Sequence, residues 1–538
     1  MTRRPMVVGR QGMIATAEPL AALTGMRVLA DGGNAVDAAV ATAAVLDVTM
    51  PMMTGLGGDT FMLVYEAATG SVTAINGSGV APLGATRDFY TARGYKKMPL
   101  DGPLSVAVPG TVDAYVTALE RFGSRDLASL LQPAIGYARD GFAINAWTAR
   151  QIASGADKLR RFPEAARIFL ANGEAPHAGD ILRQPDLAAS LATLAESGRD
   201  AFYRGELGER IVAYLQAEGA PLQGSEFASH RSWVGQPIAT DYRGYRIHQT
   251  PPPSQGLIML EAMNIAEGFD LAAMGPETAP AVHALVEAKR LAFADRLRYA
   301  GDPAFIDFPL RGLLSREYAA ERRRRFAPER AMADIPEDDA LPFDGDTTSF
   351  VIIDAAGNAV SFIESLSLAW GSGVVVPGTG ILLNDRAGRG FTLREGHPNC
   401  IAPGKRTMHT LNTWLVTRDG KLAMLGNTPG GDGQPQWNMQ VLTHVVDFGR
   451  TAQEAVEAPR WTSLPGTDPA NEDNPVEVVL EDRFPAETVT GLRERGHKTR
   501  VVGPWAAGGG AMLITVDPRT GVRAAGCDPR VEGVALAE

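Results

Sequence analysis

The chain has 538 residues, 45% apolar and 21% charged, with a formal net charge of −11. That composition supports a sizeable core and excludes general disorder. An acidic chain also lacks the clustered positive charge that phosphate-backbone binding needs, so no nucleic-acid partner is expected. Arg322–Arg325 is the local exception, and following Glu321 in a helix-like stretch it reads as a solvated face.

In chain order, Met1–Gly12 carries Arg3, Arg4 and Arg10 but no apolar run, so no secretory signal is expected. Residues 17–31 read as a helix stopped at Gly32-Gly33. Asn34 then suits the N-cap of an apolar helix over Ala35–Val48. The apolar stretch Ala35–Met53 contains Asp37 and Asp47 and ends near Pro51, which predicts a core helix and no membrane span. A cytoplasmic protein is the expectation. Residues 60–76 predict two strands about Thr69-Gly70, 110–217 several amphipathic helices, and 280–300 another.

Composition shifts at 331–346, an aspartate-rich stretch with two prolines that reads as an exposed loop. Residues 347–363 then read as two strands about Gly357-Asn358, and further strands are expected at 373–383, 412–417, 421–425, 498–502 and 511–516. Helices followed by a β-rich segment suggest layered sheets with helices outside. Cys400 and Cys527 lie far apart and read as buried apolar fillers. No group of His, Cys and carboxylate has metal-ligand spacing, so neither a catalytic metal nor a cofactor is expected.

The junction Asp346-Thr347 carries the most information, because an acidic loop runs directly into a strand headed by a hydroxyl residue. Cutting that bond would give Thr347 a free α-amine, of pKa ~8 when unperturbed, that can act as base for its own hydroxyl. Taken alone, Thr-Thr at a strand start also reads as simple β-propensity.

A series of blocks runs the length of the chain: G-G-N-A-V-D-A-A-V-A (Gly32–Ala41), T-G-L-G-G-D (Thr54–Asp59), V-P-G-T-V (Val108–Val112), L-L-Q-P-A-I (Leu130–Ile135) and P-P-P-S-Q-G (Pro251–Gly256). D-T-T-S-F-V-I-I-D-A-A-G-N-A-V-S (Asp346–Ser361), G-S-G-V-V-V-P-G-T-G-I-L-L-N (Gly371–Asn384), T-P-G-G-D-G-Q-P-Q (Thr428–Gln436) and C-D-P-R-V-E-G (Cys527–Gly533) follow. In content and order they resemble the γ-glutamyltranspeptidase family of N-terminal-nucleophile hydrolases. The resemblance implies an αββα sandwich of two stacked antiparallel sheets between helices. It also implies self-cleavage between Asp346 and Thr347 into pieces of 346 and 192 residues that stay together as one composite domain. A dimer of that pair is left open.

By the same resemblance Thr347 is the nucleophile, attacking an amide carbonyl to form an acyl-enzyme that water or an amine releases. The Gly430 and Gly431 N–H groups would form the oxyanion hole, where a plain P-G-G turn is the other reading. Ser365, eighteen residues after Thr347, matches a hydroxyl that hydrogen-bonds the nucleophile. Ser367 would share its strand face, at a position where the family often carries asparagine.

Substrate recognition departs from the family. Ser78, in S-G-V-A-P, stands where the family has a carboxylate-binding arginine. The run L-N-D-R-A-G-R-G-F (Leu383–Phe391) lacks the family's ammonium-binding aspartate and brings Arg386 and Arg389 beside Asn384 and Asp385. The family's serine pair is replaced in K-R-T-M-H-T-L-N (Lys405–Asn412). His409 in that stretch reads as structural or substrate-facing, and Asp432 as a substrate contact or a helix cap. Two guanidiniums and no matching anion suit a substrate with a carboxylate and no amine, such as oxamate or a glutaryl or succinyl monoamide. Arg386 and Arg389 read alternatively as a solvent-facing loop pair. The remaining alternatives are a γ-glutamyl hydrolase or transferase acting on glutathione-like substrates, and an uncut, inactive homologue that only binds.

Overall fold

The computed structural model describes residues 2–332, 347–466 and 475–538; the expected cut site at Asp346 and most of the acidic stretch 331–346 lie outside the described residues. The helix after Gly32-Gly33 forms as its sequence dictates. Asn34 accepts from the amides of Val36 and Asp37, and the Asp37 carboxylate accepts from Asn34 N, a reciprocal cap for Ala35–Thr49. Every residue of that helix is buried. It is apolar all round because neighbours cover it on every side. Among the described residues, no helix is long and apolar enough to cross a membrane.

Two seven-stranded antiparallel sheets make the centre. One runs Val534–Ala537, Met13–Thr16, Thr348–Ile353, Ala359–Ser365, Asp59–Glu66, Ser71–Asn76, Trp233–Gly235. The other runs Val7–Gly9, Arg523–Cys527, Met512–Val516, Lys421–Asn427, Trp414–Arg418, Tyr245–Gln249, Ile238–Tyr242. Segments from before and after Thr347 both contribute strands to each sheet. Helices Pro19–Ala30, Ala35–Thr49 and Thr111–Phe122 cover the first sheet. Helices Gly256–Ala266, Gly433–Val446 and Ala452–Glu457 cover the second, with Ala279–Tyr299 packed on Gly256–Ala266. Between the sheets, Ser361 Oγ donates to Gly426 O (3.2 Å) and Asn427 of the facing sheet donates to the Phe362 carbonyl (2.8 Å), while Phe350 and Phe362 stack with centroids 4.5 Å apart on the opposite, helix-covered face. This is the αββα arrangement expected.

Several expectations need correction. Residues 373–383 form no strand, only the isolated bridges Val375–Leu382 and Gly57–Leu383, because Gly373, Gly378 and Gly380 take positive φ and turn the chain repeatedly. The strand expected at 498–502 belongs to a separate three-stranded sheet with Trp461–Leu464 and Glu477–Glu481. Arg322 is no solvated residue: it is buried and pairs with Asp295 at 2.8 Å, leaving only Arg324 and Arg325 fully outside. Cys527 is buried as expected, whereas Cys400 is only half-buried.

Candidate active site

Antiparallel pairing of Thr348 with Glu364 sets Thr347 beside Ser365 at the end of the hairpin. The Thr347 Oγ1 donates to Ser365 Oγ at 3.2 Å, and both residues are fully buried. Ser365 Oγ also accepts from Ser367 N at 2.8 Å. Ser367 does not continue the strand face. The strand ends at Ser365, and Ser367 sits at φ 96°, a left-handed conformation costly for a non-glycine residue. Its hydroxyl is buried with no hydrogen-bond partner among the described residues.

Behind Ser365 lies Asp59, its cross-strand partner. Asp59 is fully buried and accepts from Arg386 Nε (2.9 Å), His409 Nε2 (3.1 Å) and Gly79 N (3.3 Å). Burial alone would raise its pKa, but the His409 and Arg386 contacts outweigh burial and hold it below the usual carboxylate range. His409 Nδ1 accepts from Leu411 N at 3.2 Å, so the ring is the neutral Nε2–H tautomer. Burial, with the Arg386 charge next, pushes its pKa down to about 4. His409 bridges Asp59 and the ring of Phe61 (centroids 4.7 Å).

Arg386 and Arg389 are both buried, so the solvent-facing alternative does not hold. Arg386 Nη1 reaches Thr410 Oγ1 at 3.5 Å, while its Nη2 has no hydrogen-bond partner among the described residues. Arg389 Nη1 donates to Ser367 O at 2.6 Å. Asn384 is fully engaged by backbone: its amide donates to Gly57 O and Ala107 O, and its oxygen accepts from Ala107 N and Arg386 N. Asp385 Oδ1 accepts from Leu368 N, its Oδ2 has no partner among the described residues, and burial raises its pKa. Ser78 is tied to Asn76 Oδ1 through both its amide and hydroxyl (2.8 and 2.7 Å).

The glycine pair sits between strand Lys421–Asn427 and helix Gly433–Val446, with φ 116° at Gly430 and 49° at Gly431. Asp432 makes no side-chain cap to that helix and pairs instead with Arg296 at 2.5 Å. A chain of contacts links the turn to the hairpin: Gly431 O to Gln255, Gln255 to Thr410 O, Thr410 Oγ1 to Arg386, and Arg386 to Asp59 beside Ser365. Asp59, Gln255 and Arg296 were not singled out from sequence. They come from three separate elements, and only the places of Asp59 in T-G-L-G-G-D and Gln255 in P-P-P-S-Q-G gave any signal. Elsewhere, His283, Glu287 and His497 gather in the interior, but their donor atoms are already engaged. His283 Nδ1 meets His497 Nε2 at 2.8 Å, and Glu287 meets Arg290 (2.9 Å) and Met332 N (2.9 Å).

A buried threonine at the head of a central strand, in a sandwich of two antiparallel sheets between helices, defines an N-terminal-nucleophile hydrolase. The family model for gamma-glutamyltranspeptidase matches residues 21–538. The glutathione hydrolase-like YwrD proenzyme of Bacillus subtilis is 40% identical over 98% of this chain and 99% of its own. The oxamate amidohydrolase proenzyme of Klebsiella pneumoniae is 36% identical over 98% of each. A cephalosporin acylase from Bacillus halodurans superposes with a TM-score of 0.92 at 37% identity, over 100% of this chain and 98% of that one. The chain belongs to the γ-glutamyltranspeptidase family, and it is an enzyme of the hydrolase type.

Proposed function

We propose that the chain cuts itself before Thr347 and then hydrolyses a small carboxylate-bearing amide through an acyl-enzyme on that threonine. The freed α-amine takes the Thr347 hydroxyl proton as the oxygen adds to the amide carbonyl. Collapse breaks the C–N bond, and the same proton leaves on the departing nitrogen. Water then gives a proton to the amine as it adds to the ester carbonyl; collapse breaks the bond to Thr347 Oγ1, which takes that proton back as the acid leaves. Ser365 orients the nucleophile, and the amides of Gly430 and Gly431 receive the oxyanion. That two near relatives are named proenzymes supports the cut.

The observation that carries the substrate class is Arg386. It is buried and fixed by Asp59, with one N–H pair not taken by any described residue. A guanidinium so placed is suited to a substrate carboxylate. Arg389 holds the Ser367 carbonyl, and the Ser367 hydroxyl, which has no hydrogen-bond partner among the described residues, is a second polar group suited to the acyl moiety. Asn384, Ser78 and His409 each already hydrogen-bond to other groups of the chain. One observation favours a γ-glutamyl substrate instead: the open Asp385 Oδ2 could accept an α-ammonium.

The test is turnover of oxamate and of a γ-glutamyl anilide by processed protein. The proposal expects oxamate to be the better substrate by kcat/KM. Faster turnover of the anilide would reject the carboxylate-only pocket in favour of the Asp385 reading.

A further inference from the structure

The Gly430–Gly431 turn has two features that make it soft. Both glycines hold positive φ, and glycine loses more freedom on ordering than any other residue. Its internal bonds run from Gly433 N to Gly430 O (2.8 Å) and Gln434 N to Gly431 O (3.2 Å), and neither glycine amide donates to a backbone carbonyl among the described residues. Oxyanion donors act only when fixed in advance. Something must therefore hold this turn.

Three buried side chains do so. Gln255 donates from Nε2 to Gly431 O at 2.9 Å. Its Oε1 accepts from Arg296 Nη1 at 2.7 Å. The same Nη1 pairs with Asp432, the residue directly after the glycines, at 2.5 Å. One arginine nitrogen thus grips the turn at two adjacent points. The surround is close-fitting. A Cβ on Gly430 would fall 2.3 Å from the Trp437 ring, and one on Gly466 would fall 1.9 Å from Asp432 Oδ2. Lys289 Nζ, bonded to Ser463 O (2.7 Å) and Pro465 O (3.0 Å), holds that last segment against Asp432. Gln255, Arg296 and Asp432 are 1%, 2% and 0% exposed.

We infer that Arg296, acting through Gln255 and Asp432, is a positioning residue that fixes the Gly430–Gly431 amides for the acyl-transfer step, an inference that rests on the proposed role of those amides. A buried ion pair adds little net stability over apolar packing of the same volume, whereas it fixes geometry. Arg296 and Gln255 come from before the cut and Asp432 from after it, so the grip spans the two pieces.

The experiment measures kcat and KM for amide hydrolysis in the double variant Arg296→Met/Asp432→Leu, which removes both charges together, and in Arg296→Lys. Losing one oxyanion donor outright costs about 100- to 1,000-fold in kcat. A loosened pair should cost about 10- to 100-fold, with KM changed less than about threefold and Arg296→Lys recovering part of the loss. If the double variant does not fold or is not cut, Asp432→Asn, which keeps the shape, carries the same kcat test. An unchanged kcat in processed variants overturns the inference. So does a raised KM with kcat unchanged, which would put the two remaining donors of Arg296, Nε and Nη2, on the substrate. Thr347→Ala, measured alongside, separates the two levels. If it is inactive while the Arg296 variants work normally, only this inference fails. If it retains turnover, the acyl-enzyme reading fails and takes this one with it.

Discussion

Replacing Asp59 by asparagine tests whether the site stands on a charged pair or on shape alone. Asparagine keeps the size and one oxygen but turns the other acceptor into a donor. Asp59 Oδ2 takes both the Arg386 Nε–H and the His409 Nε2–H. His409 cannot switch tautomer to help, because its Nδ1 already accepts from Leu411 N. At least one buried donor is therefore left facing nothing, and Arg386 loses its counter-ion. Breaking one side of a buried pair costs about 3–5 kcal/mol. The unfolding entropy of ~2.1 cal/mol/K per residue gives about 1.1 kcal/mol/K for a chain of 538 residues, so Tm should drop about 3–4 °C. Calorimetry in a Thr347→Ala background keeps the cutting state equal across variants. Adding Arg386→Gln removes the orphaned charge, so the double variant should lose less than the two single losses together. A Tm within 1 °C of the parent would refute the reasoning, as would strictly additive losses.

Ser365→Ala should lower kcat of processed enzyme by about 2- to 10-fold, the value of one neutral hydrogen bond of about 0.5–1.5 kcal/mol, while Ser365→Thr stays near the parent. A loss of several thousandfold would mean that Ser365 does more than orient Thr347. Acid should weaken the fold through His497. Burial, with His283 next, pushes its pKa from 6.5 down to about 3. The unfolded chain takes up that proton near pH 6.5 and the folded chain does not, so this contribution is complete above pH 6.5 and falls as the pH drops towards 3. Asp47, raised to about 7 by burial, works in the opposite sense. The readout is therefore the difference in Tm slope between pH 7.5 and 5.0 for wild type and His497→Gln. Equal slopes would count against the assignment.

What could be read from the sequence was whatever local chemistry decides. Asn34 caps, Gly32-Gly33 stops a helix, and Thr347 heads a strand because the residues involved lie within a few positions of one another. The stretch 373–383 misled because Val374, Val375 and Val376 have strand propensity while the glycines around them set the backbone. Ser367 misled for a related reason, since period-two alternation holds only while a strand lasts, and this one ends two residues earlier. The Asp59–Arg386–His409 and Gln255–Arg296–Asp432 groups were out of reach. Each joins residues from distant elements, and buried charges read in one dimension like surface ones. Arg386 and Arg389, whose alternative reading is a solvent-facing loop pair, are the plainest case, being almost wholly enclosed.

The mixing of early and late segments in both sheets bears on how such an enzyme can be made. The strand Thr348–Ile353 lies between Met13–Thr16 and Ala359–Ser365, and Ala359–Ser365 in turn lies against Asp59–Glu66. Severing the chain ahead of Thr347 would yield two polypeptides woven through each other, with neither holding a complete sheet. Dilution should not part them. Two separately translated genes would have to find each other as unfolded chains, whereas a single transcript delivers both at matched dose and lets them intertwine before the scission.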